Sequence, residues 1–288
     1  MNYAALIENR KSVRAFTDKR VPNSQLVELE TFYYQNVKRL IPDIKTELLF
    51  FNDYSKEALE GAAGYNSFLV GAPQYLVLLS EKHELAHLNA GYIMQDLLLK
   101  ATDMGLDSCW LTFTDSDAVK EAIGIVTDLQ VVALAAFGYG VKTTKRLRLN
   151  IRSMSNIDIS AKRRYAEPKR SIYDMAFLNE WGNTHKLDDH IGFFDNVLWE
   201  ALHAASLSPS YLNRQAYGFL LKDSHVHLVR RPDDYTTELD GQLSLGIALL
   251  HFSAVASEWT GRVQWKFGPD DADLSLPEGH ELVASCVL

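Results

Sequence analysis

Two stretches of this chain match each other in step. Leu88–Trp110 and Leu243–Trp265 align without a gap, which sets Leu88, Gly91, Ala101 and Trp110 against Leu243, Gly246, Ala256 and Trp265. Each stretch reads as a helix, a break and a strand carrying a tryptophan. A repeated supersecondary unit points to an ancient duplication and to two halves of one plan. The expected organisation is one unit over 1–288, with a first half over 1–140, a basic connection over 141–170 and a second half over 171–288.

Hydrophobic periodicity fills in that plan. Residues 3–9 read as a short helix, and Ser24 is a candidate cap for a longer one through about Leu40. Glu47–Phe51 and Gln74–Leu79 read as strands. A helix is expected from about Glu81 to Met104, ending before Gly105. Asp107–Phe113 and Val131–Phe137 are nearly continuous apolar runs, the pattern of buried central strands. Residues 140–170 are basic, polar and poorly periodic, and read as a long connection. After it come a helix over Asp195–Leu207, paired strands over Tyr217–Leu221 and Val226–Arg230, an apolar helix over Leu243–Trp259 and a strand over Val263–Phe267.

Charge and cysteine content narrow the class. Lys and Arg number 29 against 37 Asp and Glu, a net charge of −8. An acidic surface repels a phosphate backbone, so nucleic-acid binding is not expected, and any bound anion needs a local basic cluster. Two cysteines, Cys109 and Cys286, make no disulfide framework. The N-terminus becomes charged too early for a signal peptide. The longest uncharged run, Gly241–Ser257, is shorter than the ~20 apolar residues of a membrane span. A cytoplasmic protein with no membrane partner is expected.

Three segments carry chemistry. In an extended Arg10-Lys11-Ser12-Val13-Arg14, side chains two apart share a face, which groups Arg10, Ser12 and Arg14. Two forked guanidiniums beside a hydroxyl suit a phosphate monoester, although the segment also fits an ordinary basic surface strand. Ser208-Pro209-Ser210-Tyr211-Leu212-Asn213-Arg214-Gln215 is a helix end and a turn. Its short polar side chains suit the imide-like edge of a planar heterocycle or, equally, a plain turn. Gly105–Phe113 places Trp110 and Phe113 beside a backbone able to donate near Thr112, and also reads as a buried strand with aromatic core residues.

Other features compete. His83-Glu84-Leu85-Ala86-His87 fits H-E-x-x-H, the pattern in which two histidines hold zinc and a glutamate is the base. It lacks the extended third-ligand form, and no metal site is expected from it. His251, on an apolar helix, reads as a satisfied core histidine, and Cys109 as a buried inert thiol. No dinucleotide-binding or phosphate-loop glycine motif is present.

Taken together, Arg10–Phe16, Gly105–Trp110, the apolar strand ending Gly138-Tyr139 and Ser208–Gln215 resemble the FMN-dependent nitroreductase family. The resemblance implies an α+β fold with a central, mainly antiparallel sheet flanked by helices. It implies FMN as cofactor, NAD(P)H as transient co-substrate and a small-molecule acceptor such as a quinone or nitroaromatic. It places the Arg10-Lys11-Ser12-Val13-Arg14 motif at the phosphate through Arg10, Ser12 and Arg14, and a late Lys169 or Arg170 beside them. Ser210 and Asn213 would contact the flavin from the other half, with Trp110, Leu111 and Thr112 lining the ring. Ordinary family members carry both motifs in each subunit and dimerise. Here the Arg motif lies only in the first half and the Ser-Pro-Ser turn only in the second. The two halves therefore read as a pseudo-dimer within one chain, so that a monomer is sufficient. The alternatives are a non-enzymatic flavin-binding or sensing protein on this fold, and a zinc hydrolase using His83, Glu84 and His87.

Overall fold

Apolar content per strand decides which strands lie at the centre. In the computed structural model, which describes residues 1–52, 55–64, 69–142, 146–153, 156–162, 168–183, 196–268 and 274–287, the first half runs α1 (Tyr3–Asn9), α2 (Asn23–Gln35), β1 (Thr46–Asn52), α3 (Ser55–Leu59), β2 (Gln74–Ser80), α4 (Ala86–Asp103), β3 (Asp107–Leu111), α5 (Ser116–Ala122) and β4 (Gln130–Gly138). These strands form an antiparallel sheet of order β1-β2-β4-β3. The two central members are β2, buried at every position, and β4, buried at all but its first. They are the strands with unbroken apolar sequence.

The second half repeats the scheme. After a hairpin of β5 (Arg146–Ser153) and β6 (Asn156–Lys162) come β7 (Ala176–Leu178), α6 (Asn196–Ser206), β8 (Tyr217–Lys222), β9 (His225–Arg230), α7 (Glu238–Thr260), β10 (Lys266–Phe267) and β11 (Glu281–Val287). The order β8-β9-β11-β10 copies β1-β2-β4-β3, and β7 adds one parallel strand at the β8 edge. Each half thus has its own sheet, and α4 and α7 occupy the same place in the two copies.

Several expected boundaries differ. Pro22 rather than Ser24 precedes α2, which stops at Gln35. Helix α4 starts at Ala86 because the His83 ring accepts the Leu85 N–H at 3.0 Å and closes a turn ahead of it. Helix α7 starts at Glu238, where the Thr237 hydroxyl accepts the Asp240 N–H, a cap ahead of the apolar run. Asp195, expected as a helix start, lies outside the described residues, as do 143–145, 154–155 and 163–167 of the connection. The described part of that connection is a hairpin, with Leu149 opposite Ile159. Strand β11 was not expected. It pairs with β9 through an irregularity between Leu282 and Ala284, and its buried Ser285 pairs with the His227 ring at 2.8 Å.

Helices α4 and α7 pack on each other across the two halves, and α7 is apolar around its whole circumference because it is enclosed. The contact is reciprocal. A Cβ on Gly91 would overlap the Leu243 carbonyl, and a Cβ on Gly246 would overlap the Leu88 carbonyl. These are the four residues the repeat sets in step. The same stepping pairs Asn89 with Ser244. The Asn89 amide holds Ile41 through N–H···O bonds of 3.0 and 3.3 Å, and the Ser244 hydroxyl accepts the Tyr211 N–H at 3.3 Å. Each closes the loop between a helix and the strand that follows it, α2 and β1 in one half and α6 and β8 in the other. The contact is that of an isologous dimer, made within one chain.

A polar layer crosses this apolar interface. The Trp110 indole N–H donates to Gln95 Oε1 at 2.9 Å, so the Gln95 amide N–H faces His251 Nε2 at 2.8 Å. The proton of the imidazole then lies on Nδ1 and donates to the Ala204 carbonyl at 3.0 Å. Both ring nitrogens of this fully buried histidine are satisfied, as its place on an apolar helix implies. Stepping pairs His251 with Asp96, which accepts from Tyr3 Oη at 2.9 Å and from the Lys38 N–H at 2.7 Å. Burial is the main influence on both, pushing His251 down to about 3 and Asp96 up to about 6.

The two groups have opposite signs in stability. An unfolded chain protonates His251 near the ordinary value of about 6.5, so its contribution is full above that pH and is lost as pH falls toward about 3. Asp96 favours folding when protonated, so its contribution is full below its ordinary value of 3.8 and is lost as pH rises through about 6. Replacing His251→Gln is expected to flatten the acid-side fall in urea midpoint below about pH 6.5, and Asp96→Asn to steepen it. Parallel curves for His251→Gln and wild type would assign the titration elsewhere. Gly246→Ala is expected to cost about 3 kcal/mol or more, since backbone atoms must separate. Equal denaturation midpoints for Gly246→Ala and wild type would contradict the close crossing.

Candidate functional site

Helix α1 is capped by Asn2 and ends at Arg10, where the backbone turns extended. Ser12 then forms a parallel bridge with Ser108, and the Val13 N–H donates to the Ser108 carbonyl at 2.9 Å. This fixes the Arg motif to the first residues of β3. The motif divides in a way the alternate spacing does not show. Lys11, Ser12 and Arg14 are exposed, whereas Arg10 is half-buried and its Nη1 is buried with no hydrogen-bond partner. Burial lowers the Arg10 pKa to about 10. Arg10 and Arg14 converge on Cys109, where their charges oppose the upward push of burial on the thiol.

The Ser-Pro-Ser turn brings the second half to the same place. Leu212, Asn213 and Gln215 all take left-handed backbone angles, with φ of 47°, 56° and 45°. Such angles are costly for residues other than glycine and persist only where surroundings hold them. Gln215 does the holding. Its side chain is fully buried, donates to the Ser206 carbonyl at 2.6 Å and accepts the Arg170 N–H at 2.9 Å, while its own N–H donates to Ser210 Oγ at 2.9 Å. Lys169 Nζ donates to the Ser208 carbonyl at 2.8 Å and to Asn213 Oδ1 at 2.6 Å, and Asn213 donates to the Pro168 carbonyl at 3.1 Å. The Asn213 side chain is therefore engaged with the segment preceding β7. The Arg170 side chain lies instead beside Arg231 and Tyr217. Of the two late cations, Lys169 is the one at the turn.

His251 ties these pieces together. Arg10 from the first half and Lys169 from the second both stand close enough to hold its pKa down. The hydroxyl of Ser108 is buried and has no hydrogen-bond partner, whereas that of Ser208 lies against the Tyr217 hydroxyl. Unpartnered buried donors carry a desolvation penalty that an anion relieves. The donor set, with an unpartnered Arg10 Nη1, an ammonium and a buried hydroxyl, fits a phosphate.

From Ser108 the chain continues along β3 through Cys109 and the half-buried Trp110 to Leu111 and Thr112. At about 3.3 Å per residue this path is about 13 Å long, a length suited to a molecule with a phosphate at one end and a flat ring at the other. Leu111 is buried in the core under the sheet. The Thr112 carbonyl accepts the Gly64 N–H at 2.7 Å, and its hydroxyl donates to Asp240 at 2.9 and 3.0 Å.

The H-E-x-x-H segment does not sit on one helical face. His83 and Glu84 are exposed and precede α4, while His87 is half-buried within it. Among the described residues no group of three His, Cys, Asp or Glu is gathered to hold a metal. Gln95 was missed by sequence reasoning as part of the site, although it carried the signal of a polar residue inside an apolar helix.

The family model described as "Putative TM nitroreductase" matches residues 2–179, more than half of the chain. A solved structure of like description, from Thermotoga maritima, superposes with a TM-score of 0.58 at 19% identity, over 100% of this chain and 94% of that one. A nitroreductase family protein from Clostridium novyi aligns over 49% of this chain and 87% of its own, at 20% identity and a TM-score of 0.44. An FMN-dependent nitroreductase from Clostridium difficile aligns over 48% and 88%, at 18% and 0.42. No curated protein matches the sequence at a significant level. With the repeated sheet topology and the Arg motif seated on β3, the family match places this chain among the nitroreductases, a family of oxidoreductases.

Proposed function

We propose that this chain is an FMN-dependent oxidoreductase that takes hydride from NAD(P)H and passes it to a small acceptor such as a quinone or nitroaromatic. The observation that carries the reading is the buried Arg10 Nη1, unpartnered and set with Lys169 around His251. Arg10, Arg14, Ser12 and Lys169 would hold the phosphate, and Ser108 offers a hydroxyl to it. Trp110, fixed by Gln95, would border the ring. The Ser210 turn would close over it from the other half. The flavin supplies the two-electron chemistry when bound, and the protein binds, orients and shields it. That division suits a site without a nucleophile–base pair among the residues gathered here.

The repeat also supports a single site per chain, with the partner surface supplied in cis. The position stepped onto His251 is Asp96, a buried carboxylate held by Tyr3 and Lys38. A carboxylate there repels a phosphate that the Arg10 side attracts.

FMN added to flavin-free protein is expected to bind with the visible absorption of an oxidised flavin. Arg10→Ala and Lys169→Ala are each expected to weaken binding about tenfold or more, since charge-assisted contacts contribute roughly 1.5–3 kcal/mol. Unchanged affinity in both variants would remove the anion seat. A bound flavin that NAD(P)H does not reduce would favour a non-enzymatic flavin-binding role.

A further inference from the structure

One buried ionisable group lies against the far end of the β3 path and has no place in the reading above. Asp240, in the first turn of α7, is 6% exposed. A carboxylate in a helix cap is ordinarily solvated, but this one reaches across to the other half. It accepts from Thr112 Oγ1 through both oxygens, at 2.9 and 3.0 Å, and from Thr237 Oγ1 at 2.7 Å. The groups facing it are therefore hydroxyls. Among the described residues no ion pair involves Asp240, and burial holds its pKa above the usual carboxylate range. A structural carboxylate buried to this degree is normally matched by a cation.

We infer that Asp240, acting through the Thr112 hydroxyl, supplies the proton that accompanies hydride transfer to the acceptor. The inference rests on the reading that Thr112 borders the flavin. Reduction of a quinone to a hydroquinone takes one hydride from the reduced cofactor, which is oxidised, and one proton. The Thr112 O–H bond breaks as an O–H bond forms on the acceptor. The acid proton of Asp240 moves to Thr112 Oγ, leaving a carboxylate that water reprotonates. The same short contact serves both states, because Thr112 donates to the ionised carboxylate and accepts from the protonated acid. Asp240 is thus a positioning residue behind Thr112.

The two half-reactions separate this role from a structural one. Reduction of bound FMN by NAD(P)H delivers hydride alone, whereas quinone reduction consumes the extra proton. Asp240→Asn, which keeps an oxygen facing Thr112, is expected to leave FMN affinity and the reductive half-reaction within about twofold. The oxidative half-reaction with a quinone is expected to slow about tenfold or more, at the low end of general acid catalysis, and to lose its pH dependence. Thr112→Val is expected to slow the oxidative half-reaction likewise, and Thr112→Ser to restore its rate and pH dependence. In flavin-free protein, carbon-13 NMR of labelled aspartates is expected to show one carboxyl titrating above the usual range and absent in Asp240→Asn. An oxidative half-reaction at wild-type rate, or equal slowing of both half-reactions, would overturn the inference, as would an Asp240 carboxyl that titrates normally. If wild-type protein binds no FMN or is not reduced by NAD(P)H, the proposed function fails instead. Should Asp240→Asn not fold, the Thr112 pair decides the matter.

Discussion

The crossing of α4 and α7 sets the rest of the molecule. Gly91 and Gly246 let each helix backbone approach the other's carbonyl, at Leu243 and Leu88. Only residues without a Cβ allow that approach, and two such contacts related by the repeat define the axis between the halves. Once the axis is set, other pairings follow in step. Asn89 and Ser244 close the loops, and Asp96 and His251 reach back to the backbone at Lys38 and Ala204, while Trp110 and Trp265 each donate to the helix of their own half at positions out of step, Gln95 and Ser253. The geometry is that of a homodimer, but the two copies are free to diverge because they are one chain.

Divergence is where chemistry enters. On one side of the axis a neutral histidine lies between two cations from different halves. On the other side a buried carboxylate lies beside a tyrosine and a backbone N–H. Where the first half has Arg10-Lys11-Ser12-Val13-Arg14 the second has Lys169-Arg170-Ser171-Ile172-Tyr173, with no cation to match Arg14, and the loop at Ile41, which answers the Ser208–Gln215 turn, lacks its serines. The two sides of the axis therefore differ in charge: cations gather on one and a buried carboxyl group lies on the other.

Much of this was legible in the sequence. The ungapped match marked Leu88, Gly91, Leu243 and Gly246 as a repeated unit, and the helix crossing is what constrains them at fixed spacing. The unbroken apolar runs found β2 and β4, since central strands tolerate few polar residues. Strand β11 escaped because Glu281 and Ser285 break its apolar pattern, and Ser285 is tolerated only through a distant partner, His227. The partial burial of Arg10 escaped as well. Alternation along an extended segment groups Arg10, Ser12 and Arg14, but whether a guanidinium faces solvent depends on α6 and α7, which pack on α1 from far along the chain. The left-handed backbone of the Ser208–Gln215 turn depends likewise on the buried amide of Gln215, whose partners are Ser206, just before the turn, and Arg170, 45 residues before Gln215.

The central claim is that two unequal halves build one anion seat between them. Counting FMN bound per chain, with the mass in solution measured by light scattering on the same sample, tests it most directly. One FMN per chain, retained when the protein is diluted to monomer, is the result this account predicts. Two per chain, or flavin lost as a dimer dissociates, would contradict it.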